Sequence, residues 1–207
     1  MIARRTILRA GGWAAGLALL GAPLVLVATP IVEIQMRGNA DGSAVWFDPI
    51  GVLIEPGQTV RWINNDRGNS HTSTAYHPKN TGHPLRIPEA AEPWNSEYLL
   101  PDQAFEARFT VAGVYDYFCI PHEQAGMVGR IVVGSPPGAA PPSDNLPEAA
   151  RRVLPEVEEI VRRRIVRTAQ VADAAFSNSA ILRRRDFISS KRAVLSRMTE
   201  AIPIMFP

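Results

Sequence analysis

Cysteine is nearly absent from this chain, with one among 207 residues. A single cysteine excludes an intrachain disulfide framework and any zinc site built on two or four thiolates. It also excludes a binuclear metal centre bridged by two thiolates. Charged residues are few, at 20% of the chain, whereas the apolar fraction of 46% suffices for a buried core and excludes a wholly disordered chain.

The small net charge of +2 hides an uneven distribution along the chain. Residues 31–134 contain seven basic and twelve acidic side chains, whereas residues 135–207 contain twelve basic and eight acidic ones. The acidic middle contains no basic stripe interleaved with aromatic residues, which is the pattern of a nucleic-acid-binding surface. The alkaline isoelectric point therefore gives no reason to expect a nucleic-acid partner.

The first thirty residues have the pattern of an export segment. Arg4, Arg5 and Arg9 precede an uncharged run over residues 10–29, which predicts an export signal or an N-terminal membrane anchor over residues 1–30. The start of the chain resembles a twin-arginine signal. The run is long enough to span a bilayer, so a cleaved signal and a retained anchor at residues 10–29 both stay open. Either alternative predicts an extracytoplasmic location, in the periplasm or on the outer face of the cytoplasmic membrane.

Residues 31–134 are predicted to form short strands separated by turns. Apolar residues alternate through residues 105–111, and Pro56 and Gly57 occupy the positions that a type II turn favours between two other strands. Many short strands with turn signals between them are typical of a β-sandwich. A proline-punctuated connection over residues 76–101 is predicted to be irregular.

A different pattern begins after residue 134. Residues 135–145 are rich in proline and predict a semi-rigid linker, and residues 146–207 predict a helical C-terminal extension. Pro147 and Pro155 both suit the first turn of a helix, which favours two short helices over one long helix. Apolar residues at helical spacing predict one apolar face, or stripe, along these helices. Its members are Ala150, Val153, Leu154, Val157, Ile160, Val161 and Ile165.

Three different metal-binding side chains follow one aromatic strand. Cys119 ends the strand, His122 comes three residues later across a proline turn, and Met127 comes five residues after that. A thiolate, two imidazoles and a weak axial thioether form the trigonal site of a blue, type 1 copper centre. The second histidine must come from elsewhere in the fold. A fully ligated copper ion of this kind suits electron relay and leaves little room for a substrate, so an enzyme is not expected.

The copper loop and the strands before it resemble the cupredoxins, in their plastocyanin, pseudoazurin and halocyanin branch. The resemblance rests on the Cys-x2-His-x4-Met spacing, on Val-Gly-x-Ile-Val-Val after it, and on the stretch from Phe47 to Asn65. It covers residues 31–134 and implies an all-β fold, a Greek-key cupredoxin β-sandwich, to which the helical C-terminal extension is added. It does not cover the extension.

Carried over by position, the resemblance implies that His71, Cys119, His122 and Met127 bind one type 1 copper ion. His77 and His83 are the alternatives for the upstream ligand, and His71 is favoured because it lies nearest the end of the strand that contains Trp62. Thr72 stands where many family members have an asparagine that steadies the cysteine loop by hydrogen bonds. Whether the hydroxyl of Thr72 can form such bonds is left open by the sequence.

The implied function is one-electron transfer by an extracytoplasmic, plastocyanin-like carrier. Its partners would be a redox protein donor and acceptor, such as a cytochrome or a membrane oxidoreductase, and in family members the electron leaves through the second histidine, here His122. A copper-binding module for storage, or for delivery to an oxidase, is the alternative function. A third hypothesis gives the leading role to the helices over residues 147–168, as an interaction module.

Overall fold

The computed structural model of the protein describes residues 30–41, 43–135 and 140–168, and it contains two β-sheets. The predicted export segment and the end of the predicted extension lie outside the described residues. The strands are β1 (Val32–Gly38), β2 (Val45–Asp48), β3 (Gly51–Ile54), β4 (Gln58–Asn64), β5 (Thr74–Ala75), β6 (Ala104–Phe109), β7 (Gly113–Phe118), β8 (Val128–Val133) and β9 (Ile165–Val166). The helices are a 3-10 helix (Ile120–Ala125), α1 (Glu148–Val153) and α2 (Val157–Arg163).

The strand order is that of a β-sandwich in which the chain passes from one sheet to the other more than once. One sheet has the order β2-β1-β4-β6 and the other has the order β5-β7-β8-β3-β9. β1 pairs with β4 and β3 pairs with β8 in parallel, and the other pairs are antiparallel. Parallel neighbours require a crossover connection, because a hairpin joins only antiparallel strands. Here the chain enters the other sheet between β1 and β4 and again between β3 and β8. The predicted Greek-key cupredoxin sandwich is confirmed.

The core lies between the two sheets. Apolar residues on alternating positions of β4 and β6, including Val60, Trp62 and Phe109, meet Tyr117 and Ile131 of the other sheet in one buried cluster. Every residue of β7 and β8 is buried, because the core covers one face of these strands and the C-terminal segment covers the other. The strand that leads to Cys119 is therefore enclosed on both sides.

The C-terminal segment packs on the sandwich. Leu154 and Ala150 pack with Phe118 and Val128, and Ile160 packs with Val132. β9 adds to the edge of the second sheet through β3. Two short helices are present, as Pro147 and Pro155 predicted.

The predicted apolar stripe is wrong at its end. Val161 is 46% exposed and Ile165 is 47% exposed. The chain breaks helical geometry between them, because the backbone of Arg164 has a positive φ of 64° and a ψ of −31°. A single helical stripe cannot continue across that break, and only the earlier members of the stripe, such as Leu154 and Ile160, reach the core.

A buried ionic cluster ties the C-terminal segment to the second sheet. The carboxylate of Asp116 accepts hydrogen bonds from Arg86 at 2.9 Å and from Arg130 at 2.7 and 3.0 Å, and all three side chains are at most 3% exposed. Arg86 also donates to the carbonyl of Pro142, and Arg130 donates to the carbonyl of Pro155 at 2.7 Å. Part of the predicted linker is thus held against the sandwich by Arg86, which lies in the connection between β5 and β6, and the start of α2 is held by Arg130 of β8.

Within the described residues, the helices are all too short or too polar to cross a bilayer.

Replacing Asp116 with alanine is expected to lower the free energy of unfolding by about 3–5 kcal/mol, because two buried guanidinium groups lose their carboxylate. Urea denaturation of the full chain measures the change. Asp144→Ala is the matched control, since Asp144 is exposed and should change stability by no more than about 0.5 kcal/mol. Equal stability of both variants would contradict the structural role given to the cluster.

Candidate metal centre

Cys119 lies where β7 ends and the chain turns. Its side chain is fully buried, its backbone is extended (φ −98°, ψ 119°), and its N–H donates to the carbonyl of Met127 at 3.0 Å. The 3-10 helix starts at the next residue and contains Pro121 in its first turn, a position where proline needs no hydrogen-bond partner. The thiol is therefore placed by a core strand rather than by a mobile loop.

The short helix returns the chain towards Cys119. The N–H of His122 donates to the Cys119 carbonyl at 3.0 Å, and the N–H of Met127 donates to the His122 carbonyl at 3.1 Å. Gly126 ends the helix with φ 87°, a conformation that favours glycine. A Cβ at this position would also lie 3.2 Å from the Ala149 carbonyl oxygen in α1. The C-terminal segment thus packs closely on the loop between Cys119 and Met127.

His71 comes from the other part of the sandwich, after β4. Its backbone forms two hydrogen bonds with Leu99, at 3.1 and 2.8 Å. The loop before it is held by the buried side chain of Asn64, whose amide donates to the carbonyls of Asn69 and Leu99 at 2.9 and 2.8 Å. His71 is fully buried and fixed on both sides.

The ligand atoms of three predicted residues converge to form a small triangle. His71 Nδ1 lies 3.2 Å from His122 Nδ1, and Cys119 Sγ lies 3.7 Å from His71 Nδ1 and 3.4 Å from His122 Nδ1. A metal ion about 2.1 Å from each of three atoms in one plane would separate those atoms by about 3.6 Å. The triangle fits an ion of that kind. Within the described part of the chain, these three residues are the one group of His, Cys, Asp or Glu side chains so arranged.

The other residues considered as ligands, which are Met127, His77 and His83, each lie in a different environment. Met127 is fully buried and belongs to the same apolar cluster as Cys119. His77 lies outside the triangle, with its Nδ1 accepting a hydrogen bond from the N–H of Lys79 at 3.1 Å. His83 also lies outside it. Of the three candidates for the upstream ligand, only His71 meets the other two ligand atoms.

The environment keeps both imidazoles neutral and the thiol protonated until a metal binds. Burial lowers the pKa of His71, although Asp66 opposes the change, and burial followed by the neighbouring His71 lowers the pKa of His122. Burial raises the pKa of Cys119 to about 11. A neutral imidazole offers a free electron pair to a metal, whereas a thiol must lose its proton first.

Thr72 supplies the support that the usual asparagine gives. Its N–H donates to Cys119 Sγ at 3.3 Å, and its hydroxyl oxygen accepts a hydrogen bond from the N–H of Ile120 at 2.9 Å. The hydroxyl of Thr74 donates to the same oxygen at 3.0 Å. A bond to the sulfur and a bond to the next backbone amide fix the cysteine loop relative to His71.

Sequence reasoning missed Asp66, which contacts the upstream histidine. Its carboxylate Oδ2 lies 3.0 Å from His71 Nε2, and the residue is 5% exposed. Its sequence signal is a short turn motif, Asp66-Arg67-Gly68-Asn69, but only the loop conformation shows that the carboxylate reaches the ring.

Sequence reasoning also missed a polar cluster beside His122. Oε1 of Glu123 accepts one hydrogen bond from the hydroxyl of Tyr76 at 2.8 Å, and Oε2 of Glu123 lies 3.0 Å from His83 Nε2. The His83 ring stacks on Phe118, with ring centroids 4.2 Å apart. His83 is therefore not a freely solvated loop histidine, because its ring covers the residue that precedes Cys119.

Comparison with known proteins agrees with this geometry. The model of a family described as copper binding proteins, plastocyanin/azurin family, matches residues 34–134. The chain is 34% identical over 120 residues to a chloroplastic plastocyanin of Tetradesmus obliquus, covering 58% of this chain and 78% of that protein. The chain belongs to this family. Its cofactor is one copper ion, and the family supports an electron carrier rather than an enzyme.

Other cupredoxins are similar over comparable lengths. A pseudoazurin of Methylorubrum extorquens is 30% identical over 142 residues, which cover 68% of this chain and 82% of that protein. The crystal structure of a pseudoazurin from Hyphomicrobium denitrificans aligns with a TM-score of 0.41 and 23% identity, covering 52% of this chain and 77% of that one.

Replacing Thr72 with valine is expected to lower the free energy of unfolding of the copper-free protein by about 1–3 kcal/mol, because the Ile120 N–H loses its acceptor while the volume is unchanged. Urea denaturation measures the change. Thr59→Val, a half-buried position on β4, is the matched control. If both variants lose the same amount, the hydroxyl is not a support of the loop.

Proposed function

We propose that this cupredoxin is an extracytoplasmic carrier of single electrons, and that His71, Cys119, His122 and Met127 bind its type 1 copper ion. The observation that carries the proposal is the buried triangle of one thiol and two imidazole nitrogens, with sides of 3.2 to 3.7 Å. One soft sulfur and two nitrogens are the donor set that blue copper sites use. Copper bound there supplies a one-electron couple between Cu(II) and Cu(I).

Each residue has a distinct part in the proposal. Cys119 is the strong thiolate ligand, and the Thr72 N–H donates to its sulfur. His71 and His122 would bind the ion through their Nδ1 atoms. Met127 would be a further, weak ligand, supported by the burial of its side chain and by the two backbone hydrogen bonds that hold it beside Cys119 and His122. Because backbone hydrogen bonds hold all four residues in place, their arrangement would favour one-electron chemistry at a bound copper ion.

The electron exit is proposed to be the His122 ring. His71 and Cys119 are fully buried, whereas His122 is partly exposed, and Pro121, Gln124 and Ala125 beside it are exposed. A redox protein that docks on this small surface would come closer to the copper site than one that docks on the other ligands. The donor and acceptor are proposed to be redox proteins, such as a cytochrome or a membrane oxidoreductase.

The extracytoplasmic location is supported by the sequence of the first thirty residues. Arg4 and Arg5 precede the uncharged run at residues 10–29, as in a twin-arginine export signal or an N-terminal anchor. Export in a folded state would suit a protein whose metal site is assembled from distant parts of the chain.

The visible and electron paramagnetic resonance spectra of the oxidised, copper-loaded full chain test the site. We expect intense absorption of red light and a narrow copper hyperfine splitting, and we expect Cys119→Ser to lose both completely. His77→Gln is the matched control, because His77 lies outside the triangle, and it should keep both signals. An ordinary pale Cu(II) spectrum that survives Cys119→Ser would overturn the proposal and favour copper storage or delivery.

Proton release on copper binding tests the protonation states. At about pH 7.5 both imidazoles, whose pKa values are lowered, are neutral, and the thiol of Cys119, with its pKa raised to about 11, is protonated. Binding of Cu(II) should therefore release about one proton per ion. Titration calorimetry in buffers of different ionisation enthalpy measures the number. Release of no proton, or of two or more, would contradict this assignment.

A further inference from the structure

Asp66 is a buried carboxylate that contacts His71 on the side of the ring away from the triangle. Oδ2 of Asp66 lies 3.0 Å from His71 Nε2, while His71 Nδ1 is the atom that faces Cys119 and His122. His71 is fully buried and Asp66 is 5% exposed. The space around the carboxylate is tight, since a Cβ added at Gly38 would lie 2.1 Å from Oδ2.

The loop holds this carboxylate in place through hydrogen bonds. Oδ1 accepts a hydrogen bond from the N–H of Gly68 at 2.9 Å, and Oδ2 accepts one from the side-chain amide of Asn69 at 2.9 Å. The N–H of Asp66 itself donates to Asn64 Oδ1 at 2.9 Å. These hydrogen bonds fix the carboxylate and keep Oδ2 within hydrogen-bond distance of His71 Nε2.

An ionised carboxylate can only accept hydrogen bonds, and this decides the tautomer of the ring that it contacts. The proton of neutral His71 must lie on Nε2 to form the bond. Nδ1 is then left with its electron pair free, and that pair faces the triangle. A carboxylate bonded to an imidazole also makes the ring a stronger donor, and its negative charge favours the higher charge on a nearby ion.

We propose that Asp66 is a positioning residue of the copper site, which holds His71 in the Nε2–H tautomer and stabilises Cu(II) relative to Cu(I). This inference rests on the proposed function, because it assigns a role to the residue behind one proposed ligand. It makes the contact between Asp66 and His71 a determinant of the reduction potential. The effect is distinct from that of Thr72, which acts on the sulfur.

The first test uses the unmodified full chain without copper. Nitrogen-15 chemical shifts of His71 report which ring nitrogen carries the proton. We expect the proton on Nε2 and a bare Nδ1. A proton on Nδ1, or one shared equally between the two nitrogens, would overturn the proposal, and no variant has to fold for this result to be decisive.

The second test compares the reduction potentials of two copper-loaded variants that each lose one negative charge. Asp66→Asn removes the negative charge beside His71. It also replaces a carboxylate, which can only accept hydrogen bonds, with an amide that can donate them as well. Asp41→Asn is the matched control, because Asp41 lines the same cleft but its carboxylate bonds to the N–H of Ser43 and not to His71. Asp66→Asn should shift the Cu(II)/Cu(I) equilibrium about tenfold towards Cu(I), which raises the potential by about 59 mV.

The outcomes separate this inference from the proposed function. A shift with Asp66→Asn that is clearly larger than the shift with Asp41→Asn supports the role of Asp66. Equal shifts, or a lowered potential in Asp66→Asn, would overturn that role while the type 1 spectrum of the unmodified chain leaves the copper site intact. Absence of that spectrum from the unmodified chain would instead refute the proposed function, whatever the tautomer of His71.

Discussion

The structure depends on holding one thiol and two imidazole nitrogens within 3.7 Å of one another in a buried site. None of these groups attracts the others strongly while both imidazoles are neutral and the thiol is protonated. The fold must therefore impose the arrangement. It does so by placing His71 after a strand of one sheet and Cys119 at the end of a strand of the other, so that the packing of the two sheets sets the distance between them.

Two sets of contacts support the cysteine loop. Thr72 donates to the sulfur and accepts from Ile120. In addition, α1 packs against Gly126, and the segment that contains α1 is held to the sheet by the buried cluster around Asp116. The C-terminal segment thus contributes to the copper site although it supplies none of the proposed ligands.

Much of the site could be predicted because its residues lie in one short stretch with strict spacing. Cys119, His122 and Met127 share a loop, so their proximity follows from covalent connection and from the turn between them. His71 could be favoured over His77 and His83 because it lies nearest the end of β4 in the sequence, although a loop separates it from that strand. Asp66 could not be found in the same way, because its contact with His71 depends on the conformation of a six-residue loop.

The structure of the C-terminal segment could also be predicted only in part from the sequence. Pro147 and Pro155 act locally, so the two short helices were predictable. The exposure of Ile165 was not, because Ile165 follows Arg164, whose positive φ of 64° ends the helix, and arginine gives no signal for that conformation. The close packing of residues 140–155 on the sandwich was also hidden, since the two arginines that hold it lie far away in the sequence.

X-ray absorption at the copper edge, measured on the oxidised and the reduced full chain, shows directly whether the triangle of sulfur and nitrogen atoms binds copper. We expect one sulfur and two nitrogen neighbours at short distance in both oxidation states, with little change between them, because backbone hydrogen bonds hold each proposed ligand. Coordination by nitrogen and oxygen alone, or a large change of the ligand set on reduction, would show that the fold does not impose this arrangement.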